Sequence, residues 1–209
     1  MTKKDKVTHI LSELKHLFPT AKIMLNFSSP WELLVAVMLS AQCTDRMVNK
    51  VTKDLFKKYR KLEDYVRASP QEFEKDIFST GFYHTKTKHI LATAQIVKNH
   101  FQGKLPHTME EITQLPGVGR KTANVVLGNA FGVVEGIAVD THVKRISRVL
   151  GLTRQTDPEK IEKDLMKIVP RNEWLHFTYL LIEYGRTYCT AIKHIHENCP
   201  LTKMLMIKG

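Results

Sequence analysis

Hydrophobic residues recur along most of the chain at intervals of three and four, the spacing that gathers side chains on one face of an α-helix. The first segment of this kind extends from Val7 to Phe18 and is stopped by Pro19. No segment alternates hydrophobic and polar residues for long enough to predict a β-strand. The pattern therefore predicts an all-α protein.

Capping signals mark where several of these helices begin. Ser29 is followed by Pro30 at the first helical position and by Glu32 where a capping box requires an acid. The helix after it, from Trp31 to Ala41, is apolar on nearly every side, which is typical of a helix at the centre of a bundle. Further helices are predicted over residues 44–59, 69–80, 84–101, 108–114, 122–131, 140–149, 157–169 and 173–188.

The stretch Leu115–Ala123, with the sequence LPGVGRKTA, separates two of the predicted helices. Gly117 and Gly119 allow backbone conformations closed to other residues and let another molecule approach closely. The amides from Val118 to Lys121 would lie at the amino end of the second helix without acceptors in that helix. Such amides and the helix dipole together favour an anion, so the stretch predicts a tight turn between two helices that binds a phosphate group.

One residue at this turn and one further along the chain are candidates for chemistry. Lys121 lies in the first turn of the second helix beside Arg120, where like charge and partial burial would favour the neutral, nucleophilic amine. Further along the chain, Asp140 could assist proton transfers around that amine. Two other interpretations stay open at this point, in which Lys121 is one more phosphate contact and Asp140 caps the helix that follows it.

The charge of the chain bears on its partner. The 209 residues have a net charge of +11, with 43% hydrophobic and 25% charged residues, which is typical of a folded protein of one large or two small domains. The positive surplus favours a polyanion, and nucleic acid is preferred over a membrane because no strongly basic amphipathic anchor is visible. The charge alone also fits a basic soluble protein without such a partner.

The ends and the cysteines of the chain bear on its compartment. The basic amino end is followed by Ser12, Glu13 and Lys15, which interrupt the apolar stretch that a signal peptide needs. The longest apolar run, Leu33–Leu39, is far shorter than a membrane span. Three cysteines fit a reducing cytosol and no disulfide framework. We therefore expect a monomeric cytoplasmic protein.

Several segments of the chain resemble one family. The stretch LPGVGRKTANVVLGNAFG, the stretch IAVDTHVKRISRVLG, the segment LSAQCTD around Gln42, and the tripeptides at 81–83 and 184–186 are similar to the endonuclease III family of DNA glycosylases. The resemblance covers nearly the whole chain. It implies a base-excision-repair glycosylase with abasic-site lyase activity that removes oxidised pyrimidines from duplex DNA at the nucleoid. It also implies that Lys121 is the nucleophile and Asp140 its partner.

The resemblance implies an architecture as well. A six-helix domain would span residues 23–133 and carry a helix-hairpin-helix motif at 108–131. A second helical domain would combine residues 1–22 with 134–209, and a DNA-binding cleft between the domains would hold the two catalytic residues.

The same resemblance assigns DNA contacts. Gln42 and Phe82 would occupy the space that a flipped nucleotide leaves in the duplex. The hairpin would grip the DNA backbone through Gly117, Val118, Gly119 and Arg120. From the residues alone, two other interpretations stay open. Gln42 could be a polar residue in a loop, and Phe82 could be a core aromatic beside a glycine break.

Many members of this family carry a four-iron, four-sulfur cluster on four cysteines near the carboxyl end. When the chain is aligned on Cys189, the four positions hold Cys189, His196, Cys199 and Leu205. Leucine cannot ligate iron, and this type of cluster needs four thiolates, so we predict that the cluster is absent and that no cofactor is bound. A zinc site formed by Cys189, His194, His196 and Cys199 is the alternative, although its spacing is not a common one.

Two other functions remain open from the sequence. The chain could be a helix-hairpin-helix protein that binds DNA without catalysis, or a glycosylase of the same fold with a different base specificity. Lys121 argues against the purely monofunctional relatives, which lack a lysine at this position.

Overall fold

The computed structural model describes residues 2–192 and 195–208, with side chains as far as residue 205. In this part of the chain the regular secondary structure is entirely helical, which confirms the all-α prediction, and no helix is long and apolar enough to cross a membrane. The α-helices are α1 (Lys3–Leu17), α2 (Pro30–Leu39), α3 (Asp45–Lys58), α4 (Leu62–Val66), α5 (Pro70–Ile77), α6 (Tyr83–His100), α7 (Met109–Ile112), α8 (Arg120–Val126), α9 (Thr141–Val149), α10 (Pro158–Met166), α11 (Trp174–Thr187) and α12 (Pro200–Lys208).

The chain divides into two compact units. The central unit comprises residues 24–133 and contains α2 to α8. The terminal unit joins residues 1–23 to residues 134–209 and contains α1 together with α9 to α12. The terminal unit is therefore discontinuous in sequence, and the central unit is inserted between its two parts.

The central unit is built around α2. Ser29 caps this helix by accepting a hydrogen bond from the Glu32 amide at 3.2 Å, and Pro30 follows at the first position. Every residue from Leu33 to Leu39 is buried, because α2 packs against α3, α6 and α8. This confirms the prediction of a central apolar helix. An aromatic cluster at the start of α2 completes this core, and its members are Trp31 of α2 together with Tyr59, Tyr65 and Phe73.

The terminal unit has a core of its own, formed mainly by α1, α9 and α11. Helix α1 buries Val7, Ile10 and Leu14 completely, and α11 buries Phe177 and Leu180. These apolar side chains belong to one contiguous cluster, so the amino-terminal helix depends for its packing on residues from the far end of the chain.

The segment predicted as one helix over residues 122–131 contains two kinds of helix in the structure. Helix α8 begins earlier, at Arg120, and Leu127–Phe131 forms a π-helical turn. The side-chain amide of Asn129 donates to the Val125 carbonyl at 2.7 Å in this region. Side-chain periodicity does not distinguish a short π-turn from an α-helix, so this feature could not be predicted from the hydrophobic pattern.

Candidate active site

The turn between α7 and α8 is closed by a backbone hydrogen bond and has no space for a side chain at Gly117. The amide of Val118 donates to the Leu115 carbonyl at 3.0 Å, and both of these side chains are buried. Gly117 has a φ of +77°, and a Cβ atom at this position would lie 2.7 Å from Nδ1 of His89. Any other residue at position 117 would therefore be strained in its backbone and would collide with the His89 ring.

Gly119 caps the amino end of α8 and is exposed. A Cβ atom at this position would meet nothing within 4 Å, in contrast to Gly117. The first amides of an α-helix have no acceptor within the helix, and they lie where the dipole favours negative charge. The open surface at Gly119 lets an anion approach these amides at the start of α8, which suits the predicted phosphate contact.

Lys121 and Asp140 belong to different units. Lys121 is the second residue of α8 in the central unit and is exposed, so the partial burial predicted from the sequence is wrong. Asp140 is the N-cap of α9 in the terminal unit, where its Oδ1 atom accepts a hydrogen bond from the Val143 amide at 2.8 Å. The capping interpretation of Asp140 is therefore correct for one carboxylate oxygen, and Oδ2 lies outside that bond.

The segment before Asp140 is firmly held. Ile137, Ala138 and Val139 are all buried in the terminal unit. The Thr178 hydroxyl on α11 donates to the Ala138 carbonyl at 3.3 Å. A carboxylate that follows a buried segment and caps its own helix has little freedom to move.

Gln42 and Phe82 share an unusual backbone conformation. Their φ angles are +53° and +48°, and within the described residues Gln102 is the other non-glycine with a positive φ. A bulky residue in the left-handed region costs about 1 kcal/mol or more, so it persists only where the surroundings impose it. Both side chains are exposed, Phe82 by 62%. The interpretation of Phe82 as a core aromatic is therefore wrong.

A buried lysine joins the two loops that carry these residues. The side chain of Lys86 on α6 is 5% exposed, and its Nζ atom donates to the Leu39 carbonyl and to the Thr80 carbonyl, both at 2.8 Å. Leu39 lies just before the turn that contains Gln42, and Thr80 just before Phe82. Burial lowers the pKa of the Lys86 amine from its ordinary value, and the nearby Cys43 acts in the opposite direction.

Lys86 is not among the residues predicted from the sequence, although the sequence contains a signal for it. Ile90 and Ala94 follow it on α6 at intervals of four and are fully buried. A lysine that continues the apolar face of a helix is either an error of register or a buried cation with specific acceptors. The pattern could therefore have identified a buried lysine, but not the two carbonyl groups that it binds.

The carboxyl-terminal cysteines converge with one histidine. The Sγ atoms of Cys189 and Cys199 and a ring nitrogen of His196 all lie within 4.8 Å of one another. Burial raises the pKa of the Cys189 thiol above its usual value. Leu205, at the fourth position of the family's cluster motif, packs against the hydrophobic core of the terminal unit. The residues present therefore do not fit a four-iron cluster, and His194 lies outside the described residues.

Comparisons with known proteins agree over nearly the full length of the chain. Residues 35–171 match the model of the HhH-GPD superfamily of base excision DNA repair proteins. Endonuclease III of Synechocystis sp. is 47% identical over 97% of this chain and 93% of its own length. Endonuclease III of Bacillus subtilis is 44% identical over 95% of this chain and 91% of its own length.

Two solved structures have the same fold. The structure of a trapped endonuclease III–DNA covalent intermediate, an estranged-adenine complex, superposes with a TM-score of 0.91 at 44% identity and covers 99% of this chain and 100% of its own. A non-covalent endonuclease III–DNA complex superposes with a TM-score of 0.91 at 43% identity, with both chains fully covered. With this agreement in sequence and fold, the chain belongs to the HhH-GPD superfamily and, within it, to the endonuclease III family.

Proposed function

We propose that this protein is a base-excision-repair enzyme that removes damaged bases from duplex DNA and then cleaves the strand at the resulting abasic site. One observation carries the proposal. An exposed primary amine, Lys121, stands at the start of α8 immediately after a glycine turn that is open to a phosphate group, in a chain that is 44% identical to one trapped covalently on DNA. The substrates are oxidised or ring-saturated pyrimidines.

The hairpin and the positive charge supply binding without sequence readout. The amides at the start of α8 bind the DNA backbone together with Gly117, Val118, Gly119 and the Arg120 side chain. The net charge of +11 strengthens attraction to DNA at low salt. Such contacts fix the register of the duplex and leave the choice of base to the pocket that receives the flipped nucleotide.

The chemistry needs a nucleophile and an acid. The neutral amine of Lys121 attacks C1′ of the flipped nucleotide, the bond from C1′ to the base breaks, and the base leaves with a proton. The sugar ring opens to a Schiff base, which makes the 2′ proton acidic. Loss of that proton breaks the bond from C3′ to its oxygen by β-elimination, and water then releases the lysine. Asp140, anchored as the cap of α9, stabilises the positive charge that develops on the sugar.

Gln42 and Phe82, the wedge residues, keep the duplex open while the base is flipped. Opening one base stack costs a few kcal/mol, and an inserted side chain holds the gap. Both wedge residues are exposed and held in a left-handed backbone conformation. This combination supports an inserting role, because a strained backbone conformation at an exposed residue is typical of a functional site.

Replacing Lys86 with methionine tests how these wedges are held. The variant leaves the Leu39 and Thr80 carbonyls without a charged donor, so we expect the free energy of unfolding to fall by about 2–4 kcal/mol in urea denaturation. We also expect binding of abasic-site duplexes to weaken by about 10-fold or more, about 1.4 kcal/mol, while binding of undamaged duplex stays unchanged. Equilibrium titrations with the two duplexes, under conditions in which the variant is folded, measure both affinities.

The matched control is Ile90→Ala, which removes a fully buried side chain from the same helix. It is expected to cost about 2–5 kcal/mol of stability but to leave the preference for abasic DNA intact. If both variants lost that preference equally, Lys86 would act only on stability and not on the wedges.

Borohydride trapping and base release together test the proposed function. With purified protein, we expect a covalent adduct on abasic-site duplexes and release of oxidised pyrimidines from a panel of duplexes. DNA binding without an adduct would support a non-catalytic helix-hairpin-helix protein. Base release without an adduct would support a monofunctional enzyme, and release of other bases alone would support the same fold with another specificity.

The cellular setting follows from the proposed substrate. We infer that the protein works as a monomer in the cytoplasm, on DNA of the nucleoid, and without a four-iron cluster. The bacterial origin of the relatives and the lack of four thiolates at the cluster positions support this inference.

A further inference from the structure

The Cys189–His196–Cys199 group lies where the chain passes from α11 to α12. Cys189 follows the end of α11, and Cys199 directly precedes α12. The two cysteines are 1% and 5% exposed. Their Sγ atoms and a ring nitrogen of His196 converge within 4.8 Å, a spacing at which three side chains can share one metal ion.

The distance between two of these donors matches tetrahedral zinc. With Zn–S bonds of about 2.3 Å and Zn–N bonds of about 2.0–2.1 Å, tetrahedral geometry places a sulfur and a nitrogen about 3.5 Å apart. The distance from Cys189 Sγ to His196 Nδ1 is 3.6 Å. An ion could therefore bind both atoms with little movement of either segment.

We propose that this group binds one Zn²⁺ ion through the thiolates of Cys189 and Cys199 and the imidazole of His196, with water available as the fourth donor. Two thiolates and an imidazole are a donor set that zinc favours, because it accepts nitrogen and sulfur ligands and has no redox demands. The ion forms bonds to donor atoms and displaces the two thiol protons to solvent, so no oxidant or reductant is needed.

The same residues argue against the iron cluster that many relatives carry. A four-iron cluster needs four thiolates, and this group supplies two. At the fourth position, Leu205 packs against the core of the terminal unit, so this residue of α12 is held without a ligand. The donors that remain suit a single small ion rather than a cluster.

The backbone around the group is held in place by other contacts. The Arg145 guanidinium on α9 donates to the carbonyls of Gly185 and Cys189. The Leu201 amide donates to the Tyr184 hydroxyl at 3.2 Å, which fastens the start of α12 to α11. Because both cysteines sit on segments fixed in this way, little ordering is left for metal binding to impose. A bound zinc ion would then link the segment that follows α11 to the segment that precedes α12.

Metal titration of the full-length protein tests the site. Protein stripped of metal under reducing conditions should bind one Zn²⁺ per chain and unfold at a higher temperature with zinc than without it. Co²⁺ should give the visible absorption of a tetrahedral site and a thiolate-to-cobalt charge-transfer band. Cys199→Ser and His196→Ala should each weaken zinc binding by about 100-fold or more and remove the thermal shift.

Cys43→Ser is the matched control, because Cys43 is the remaining cysteine and lies in the central unit. It should leave the zinc affinity unchanged. Because Cys199→Ser removes a buried side chain and could lower folding yield, the partly exposed His196 provides the second variant. Zinc binding that is undiminished in both variants, a stoichiometry near zero, or four iron and four sulfide per chain after iron supplementation would each overturn the proposal.

Discussion

Replacing Lys121 with glutamine should abolish the adduct that borohydride traps on abasic DNA and lower base release by about 10³-fold or more, because the amide cannot form a Schiff base. Lys121 is exposed on the first turn of α8, so the free energy of unfolding should change by no more than about 0.5 kcal/mol. Single-turnover base release and trapping on the same duplex, with urea denaturation alongside, measure the three quantities.

Lys88→Gln is the control for charge, since Lys88 is an exposed lysine of the same unit and the change in net charge is identical. It should retain the adduct. If Lys121 were only a phosphate contact, Lys121→Gln would weaken DNA binding modestly and leave trapping intact. The slope of log affinity against log salt concentration would fall in magnitude by about one. A trapped adduct in Lys121→Gln at the wild-type level would exclude this lysine as the nucleophile.

Local signals account for the parts of the fold that the sequence predicted well. Ser29 and Asp157 each precede a proline, and in the structure each side chain accepts a hydrogen bond from an amide of the helix that it starts. Such caps involve residues within one turn of each other, so the local sequence contains all the information needed to predict them. The short helix α4 was not predicted, because five residues are too few to establish a period.

The parts that could not be predicted depend on distant segments. The left-handed conformations of Gln42 and Phe82 contradict the local preferences of these residues. Lys86 on α6 connects the turn before Phe82 to the end of α2, which lies 47 residues away in sequence. The open surface at Gly119 and the collision that a side chain at Gly117 would meet are likewise properties of packing. The motif identifies both glycines, but the different structural reason for each one is visible only in the folded protein.

The carboxyl end illustrates the same limit. The cysteine count leaves too few thiolates for a four-iron cluster, and the uncommon ligand spacing predicts a tail without metal. The common zinc motifs place their ligands in closely spaced pairs along the chain. Here Cys189 and Cys199 come from the ends of two helices, and the core of the terminal unit brings them to His196.

Asp140 carries the second large prediction, because its structural and chemical roles can be separated by choice of substitution. Asparagine keeps an oxygen that accepts from the Val143 amide and is as good an N-cap as aspartate, so Asp140→Asn should preserve stability within about 0.5 kcal/mol. It removes the negative charge, so single-turnover base release should fall by about 10²–10³-fold. Asp140→Ala should show a similar loss of activity and, in addition, lose about 1 kcal/mol of stability with the cap.

Asp157 offers the matched comparison, since it caps α10 in the same unit through a 3.0 Å bond from the Lys160 amide. Asp157→Asn and Asp157→Ala should reproduce the two stability results and leave base release unchanged. If Asp140→Asn kept full activity, capping would be the whole role of Asp140, and the charge that stabilises the sugar would have to come from another residue. Loss of activity in Asp140→Asn, with stability intact and Asp157→Asn unaffected, separates the carboxylate's electrostatic role from its place at the start of a helix.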